Sequence, residues 1–263
     1  MKIALVSLNQ TWENKKDNRL KVLKCLQSIS HEKIDLIVFP EMTLTGFTMN
    51  GIKFEEELIT SETIEFFHKC AYNNSAYIVF GLILKNGNLR TNNLIMISPE
   101  KERVIVANYS KIHPFSFAQE DKNYMCGDKL ISANLNNTNI GFSICYDLRF
   151  PEIFQGLSKD NDIIINIANW PSKRQMHWDI LSRARAIENQ VFFIGVNRTG
   201  IDGMGLEYNK SSIIVSPDGE LVKPISSFEE VDIYDIDINY TTICRNNFPI
   251  KNDRKIDFYK SIL

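Results

Sequence analysis

Glu41, Lys111 and Cys145 each stand where an apolar run of this chain gives way to polar sequence, and together they could break a carbon–nitrogen bond. In Gly141-Phe-Ser-Ile-Cys-Tyr-Asp-Leu-Arg-Phe-Pro-Glu152 the apolar run stops at the thiol and charged residues follow. A strand delivering a cysteine to a turn holds it from behind and leaves it open in front, as a nucleophile requires. A carboxylate can take the thiol proton to give the attacking thiolate, and an ammonium can stabilise the negative charge that builds on the carbonyl oxygen, each such donor contributing about 3 kcal/mol. Once the amine has left, the same carboxylate can activate water against the thioester. Alone, each residue has a plainer reading: a small core cysteine, a capping or surface glutamate, a solvated strand-end lysine. His113, two residues after Lys111, is the competing base, but Glu41 better explains a carboxylate at a strand end. His31, His68 and His177 lack metal-ligand spacing.

These residues must be carried by strands and helices. Residues 2–8 read as a buried strand, and Asp17–Ser30 as a helix with Leu20, Leu23 and Leu26 on one face. Asp35–Glu41 is an apolar strand stopped by Pro40, which has no backbone donor for a ladder. Ser61 opens a helix that turns Ile64, Phe67 and Ala71 inward. Ala76–Leu84, Asn92–Ser98 and Arg103–Asn108 are strands separated by turn sequences, and Lys111 follows the third. Asp162–Pro171 repeats the proline-ended strand, and Gln175–Gln190 is a helix expected to carry Ile180, Ala184 and Ile187 inward. Val191–Val196, Ser211–Ser216 and Val231–Ile238 are further strands, and the tail 241–263 has no clear periodicity. The two halves read as a pseudo-repeat. Strands alternating with helices, plus runs of consecutive strands, imply a layered α/β protein with two sheets between helices.

The chain has 263 residues, 44% hydrophobic and 24% charged, with a net charge of -2, which is ordinary for a globular protein and suits one domain over 1–263. There is no basic footprint for nucleic acid and no apolar run of membrane-spanning length. The apolar start is too short for a signal-peptide core. Five scattered cysteines without a Cys-x-x-Cys pair read as reduced thiols of a cytoplasmic protein, with no metal and no cofactor expected.

Phe39-Pro-Glu41, Tyr109-Ser-Lys111-Ile-His-Pro-Phe115 and Ile144-Cys145-Tyr-Asp-Leu-Arg-Phe-Pro-Glu152, in that order, resemble the nitrilase or carbon–nitrogen hydrolase superfamily. The likeness runs nearly end to end. It implies a four-layer αββα sandwich, two central mixed sheets flanked by helices, and a Glu–Lys–Cys triad at Glu41, Lys111 and Cys145. It also implies a second glutamate at Glu120 that orients the lysine, and a homodimer or larger homo-oligomer. Ser143 departs from the glycine many members carry before the cysteine.

Ala168–Arg174, Arg183–Gln190 and Asn197–Gly203 are similar to the omega-amidase branch, which implies hydrolysis of the terminal amide of 2-oxoglutaramate or 2-oxosuccinamate. A small carboxylated amide of this kind needs a cation for its remote carboxylate, and Arg174 and Arg198 are the candidates. Arg149 is expected to brace the turn through an acidic partner. Tyr146, Trp170 and Phe115 are candidate pocket walls. N-carbamoyl compounds, nitriles and amides of damaged metabolites share the chemistry, and a non-catalytic binding or scaffold protein shares the fold.

Overall fold

The computed structural model describes residues 1–262. Strand β1 (Lys2–Val6) is followed by α1 (Lys15–Ser28), β2 (Leu36–Val38), the short α2 (Gly51–Phe54), α3 (Glu62–Asn74), then β3 (Tyr77–Asn86), β4 (Leu89–Ile97) and β5 (Ile105–Ser110). After α4 (Glu120–Asn123) come β6 (Ser132–Leu135), β7 (Thr138–Ile144), α5 (Pro151–Leu157), β8 (Ile163–Ala168), α6 (Gln175–Asn189) and β9 (Phe192–Asn197). A small hairpin, β10 (Gly200–Ile201) with β11 (Glu207–Tyr208), leads to β12 (Ile213–Val215), β13 (Ser226–Ser227), β14 (Val231–Asp235), α7 (Asn239–Asn247) and α8 (Ile256–Ile262).

The strands form two mixed sheets, β13-β14-β1-β2-β3-β4-β5 and β12-β9-β8-β7-β6. Each is built around three parallel strands joined by helices, β1-α1-β2-α3-β3 and β7-α5-β8-α6-β9, with antiparallel strands added at the edges. This is the internal repeat expected of the two halves. Side chains alternate across each strand. Ile3 and Leu5 of β1 and Ile163, Ile165 and Ile167 of β8 belong to the cluster between the sheets, where β1 crosses β9 and β4 crosses β7. On the other face of the first sheet Ala4 and Val6 pack on Val22 of α1 and Phe67 of α3, and on the second sheet Ile164 packs on Phe154 of α5 and Trp178 of α6. The result is the four-layer αββα sandwich.

Two helix faces differ from the sequence expectation. On α1 the buried residues are Asn18, Val22, Cys25 and Leu26, and Leu20 and Leu23 are exposed. On α6 Ile180 and Ile187 are exposed, and Trp178, Ser182, Arg185, Ala186 and Asn189 are buried. Hydrogen bonding explains this reversal. Arg185 Nη2 donates to Leu148 O at 2.8 Å and Asn189 Nδ2 to Arg185 O at 2.9 Å, so these polar groups enter the core with partners. The tail forms α7 and α8 and lies against its own chain, with Arg245 Nη2 donating to Asn161 O and Lys251 Nζ to Ser158 O. Burial, with Arg245 and Arg254 nearby, lowers the Lys251 pKa to about 8.

Candidate active site

Glu41, Lys111 and Cys145 follow the C-terminal ends of β2, β5 and β7, where residues from distant parts of an α/β chain converge. The bend after Pro40 is fixed from two sides. Gln10 Nε2 donates to the carbonyls of Glu41, Met42 and Thr43 at 3.0–3.1 Å. Gly81 of β3 passes so close that a Cβ there would overlap Met42 N and the Glu41 backbone. Thr43 completes the tie, its N–H donating to Gly81 O and its Oγ1 accepting from Gly81 N–H.

Glu41, Lys111 and Glu120 are each at most 1% exposed. Lys111 Nζ donates to Glu41 Oε1 at 3.0 Å and to Glu120 Oε2 at 2.8 Å. Asn92 Nδ2 lies between the same carboxylates, 2.7 Å from Glu41 Oε1 and 2.9 Å from Glu120 Oε1. The free oxygen of Glu41, Oε2, accepts from Asn169 N–H at 2.9 Å, and Glu120 Oε2 accepts from Phe115 N–H at 2.6 Å. Burial works against the Lys111 charge, but Glu120 and Glu41 outweigh it and hold the ammonium's pKa above its ordinary value. Burial raises the pKa of Glu120, opposed by Lys111.

Cys145 adopts a left-handed backbone conformation, φ +47°, at the junction between β7 and the following turn. Asp147 fixes that turn: Oδ2 accepts from Ile144 N–H at 2.9 Å and from Tyr109 Oη at 2.7 Å, and Oδ1 accepts from His113 N–H at 2.9 Å. The His113 ring is also on Asp147, Nδ1 to Oδ1 at 2.9 Å, and stacks on Phe150. Cys145 Sγ lies 3.8 Å from Asn169 O. Burial and the Glu41 charge raise its thiol pKa well above the ordinary value, with Lys111 pulling the other way. The sulfur thus has the Glu41 carboxylate and the Lys111 ammonium as its charged neighbours.

Cys145 and Lys111 open into a cavity of about 620 Å³. Tyr146, Trp170, Phe115 and Arg174 line it as the sequence suggested. Arg198 is not among the lining residues. It is fully buried, and its guanidinium donates to the carbonyls of Gln10, Thr199 and Ile201. Arg149 replaces it. Instead of an acidic partner, this side chain has His177 Nδ1 at 3.1 Å and the Trp170 ring at 4.9 Å, and it lines the cavity. Arg174 lies over the Phe115 ring at 5.4 Å. Neither arginine has a carboxylate partner among the described residues.

Sequence reasoning missed Asn92, Asn169 and Asp147. Asn169 directly follows β8, so the strand-end signal that marked Glu41 was available for it. Asn92 lies inside β4 and Asp147 inside a charged turn, where nothing in residue type distinguishes them. Among the described residues no group of three or more His, Cys, Asp or Glu could hold a metal, and no helix is long and apolar enough to cross a membrane.

The family model described as carbon-nitrogen hydrolase matches residues 2–246. An omega-amidase of Yersinia enterocolitica is 30% identical over 255 residues, 96% of each chain. A 2-oxoglutaramate amidase of Paenarthrobacter nicotinovorans is 32% identical over 239 residues, 86% of this chain and 80% of its own. Among solved structures, a Xanthomonas campestris protein of the CN-hydrolase superfamily with an arsenic adduct in its active site superimposes with a TM-score of 0.89, at 29% identity and 97% coverage of both chains.

Proposed function

The chain belongs to the carbon–nitrogen hydrolase family, and from that premise we propose that it is an omega-amidase releasing ammonia from the terminal amide of 2-oxoglutaramate or 2-oxosuccinamate. The observation that carries this reading is Lys111 Nζ, bonded to two buried carboxylates at the floor of a cavity shared with Cys145. Relatives described as omega-amidase and 2-oxoglutaramate amidase support the substrate class.

Glu41 takes the Cys145 proton as sulfur attacks the amide carbon. Lys111, kept charged by its two carboxylates, stabilises the resulting oxyanion from a dry site, where such a charge acts most strongly. Glu41 then delivers the proton to the departing nitrogen, ammonia leaves, and a thioester remains. Water, deprotonated by Glu41, attacks it and frees the dicarboxylate. Glu120 positions Lys111 and closes the Phe115 loop. Arg149 and Arg174 receive the remote carboxylate, since both face the cavity without an acidic partner.

The same reading makes the protein a cytoplasmic homo-oligomer. Five unpaired thiols support the compartment, and exposed Ile180 and Ile187 on α6 support association. Light scattering at micromolar concentration tests the latter, a monomer contradicting it.

The test of function is ammonia release from 2-oxoglutaramate, 2-oxosuccinamate, glutamine, asparagine, an N-carbamoyl amino acid and a nitrile. Preference for the oxo-acid amides supports the reading. Turnover of another compound alone moves the substrate, and no turnover of any points to the non-catalytic alternative.

A further inference from the structure

Asn92 stands on β4 in line with Leu94 and Met96, which face between the sheets, and it is 1% exposed. Its backbone and its side chain serve the same lysine. The Asn92 carbonyl accepts from Lys111 N–H at 2.9 Å, and the Asn92 amide reaches the two carboxylates that hold the far end of the Lys111 side chain. Carboxylate oxygens accept and do not donate, so the amide nitrogen must be the atom that faces them. Asn92 Oδ1 then points away, buried and without a protein partner among the described residues. The amide is thus placed for its donors, at the cost of a buried acceptor.

The donors are shared unevenly among the four carboxylate oxygens. Glu120 Oε1 accepts from Asn92 Nδ2 at 2.9 Å and Lys111 Nζ at 3.1 Å, and Glu120 Oε2 from Lys111 Nζ at 2.8 Å and Phe115 N–H at 2.6 Å. Glu41 Oε1 accepts from Asn92 Nδ2 at 2.7 Å and Lys111 Nζ at 3.0 Å. Each of these oxygens has both lone pairs engaged. Glu41 Oε2 differs. Among the described residues it accepts from Asn169 N–H alone, at 2.9 Å, and keeps one lone pair for a proton. Cys145 Sγ lies 3.8 Å from the carbonyl oxygen of that same Asn169, so the open lone pair and the thiol are held at one residue. Without the Asn92 amide, Glu41 Oε1 would open as well, and a proton settling there would sit beside the Lys111 ammonium.

We propose that Asn92 is a positioning residue of the hydrolysis: it occupies Oε1 of both glutamates and so makes Oε2 of Glu41 the oxygen that exchanges protons with Cys145 and the departing nitrogen. This rests on the amidase reading above. The proton passes from Sγ to Oε2 as the S–C bond forms, and from Oε2 to the nitrogen as the C–N bond breaks and ammonia leaves. Water then gives a proton to Oε2 as its oxygen bonds to the thioester carbon. Oε2 returns that proton to sulfur as the S–C bond breaks. Asn92 is not among the residues lining the cavity, so it acts on proton transfer and not on substrate binding.

The experiment measures ammonia release from 2-oxoglutaramate by the full-length wild type, Asn92→Leu, Asn92→Asp and Asn93→Leu, with thermal unfolding followed by circular dichroism. Asn93 is the control. It is equally buried but turns to the other face of β4, where it donates to Asn108 Oδ1 and Ser110 Oγ. Asn92→Leu should lower kcat about a hundredfold, as for an impaired general base, and keep KM within about threefold. Asn93→Leu should lose stability and keep kcat within about threefold. In Asn92→Asp the new carboxyl group donates only when protonated. Its kcat relative to wild type should therefore rise as pH falls from about 8 to about 6, by up to about tenfold per unit, and this signature serves also if Asn92→Leu does not fold. A folded Asn92→Leu with kcat within about threefold of wild type overturns the role of Asn92 and leaves the amidase reading standing. So does an equal loss in Asn93→Leu, or an Asn92→Asp to wild-type ratio that does not change with pH. No turnover of any amide by the wild type overturns both.

Discussion

The imidazole of His113 is hydrogen-bonded to Asp147, Nδ1 to Oδ1 at 2.9 Å, although it lies two residues from Lys111. That contact occupies the ring on the turn below the nucleophile, so Glu41 rather than His113 is the base we propose for the thiol. His113→Asn should keep kcat within about threefold, where loss of a true general base costs about 10²–10⁴. Glu41→Gln should show the larger loss. Steady-state kinetics on the two variants decide it, and the opposite ranking would make His113 the base.

Lys111 is the shared cation of two buried carboxylates. Lys111→Met leaves Glu41 and Glu120 facing each other without a cation and should cost about 3–5 kcal/mol of stability. Adding Glu120→Gln should restore part of that stability without restoring turnover. Urea denaturation of the single and double variants measures the coupling.

Gly81 lies where a Cβ would overlap the Glu41–Met42 backbone. Gly81→Ala is expected to lower stability by about 1–3 kcal/mol through overpacking. Because the displaced group is Glu41, kcat should fall about a hundredfold. A fall in thermal stability with unchanged kcat would separate the glycine from the site.

Alkaline stability follows from groups whose pKa values are raised on folding. Buried Tyr109, beside Asp147, is held well above its ordinary value of 10.0. The folded protein therefore keeps a proton that the unfolded chain loses as pH passes about 10, so this contribution is complete below that pH and declines above it. Tyr109→Phe should remove about 1.4 kcal/mol per pH unit from the alkaline slope. Denaturant unfolding between pH 8 and pH 11, a range taken as about one unit either side of the phenol and thiol values, reads it directly.

Arg149 and Arg174 face the cavity without acidic partners. Replacing either with Ala should raise KM for 2-oxoglutaramate about 10- to 100-fold, corresponding to a charged hydrogen bond of about 1.5–3 kcal/mol, with a smaller change for an uncharged amide. Equal losses for both substrates would assign the arginines to structure.

The strands and the three strand-end residues were legible because burial and its abrupt end are written in residue type. Glu41, Lys111 and Cys145 stood out by that pattern, and the likeness to the family proposed them as a triad. The rest of the site depends on who bonds to whom. Asn92 reads as one more residue of β4, yet its amide bridges two carboxylates. Arg198 looked like a substrate cation, yet its donors go to backbone carbonyls. On α6, Ile180 and Ile187 looked like the inward face, but Arg185 and Asn189 have partners that allow them to be buried there. Glu120 resembles a surface acid by residue type, and family likeness alone picked it out. It is buried because Lys111 and the Phe115 N–H compensate it.

The most direct test is ammonia release from 2-oxoglutaramate by the wild-type protein and by Cys145→Ala side by side, with circular dichroism showing that the variant is folded. The thioester mechanism predicts turnover by the wild type and none above background by folded Cys145→Ala. Retained turnover in that variant would contradict it.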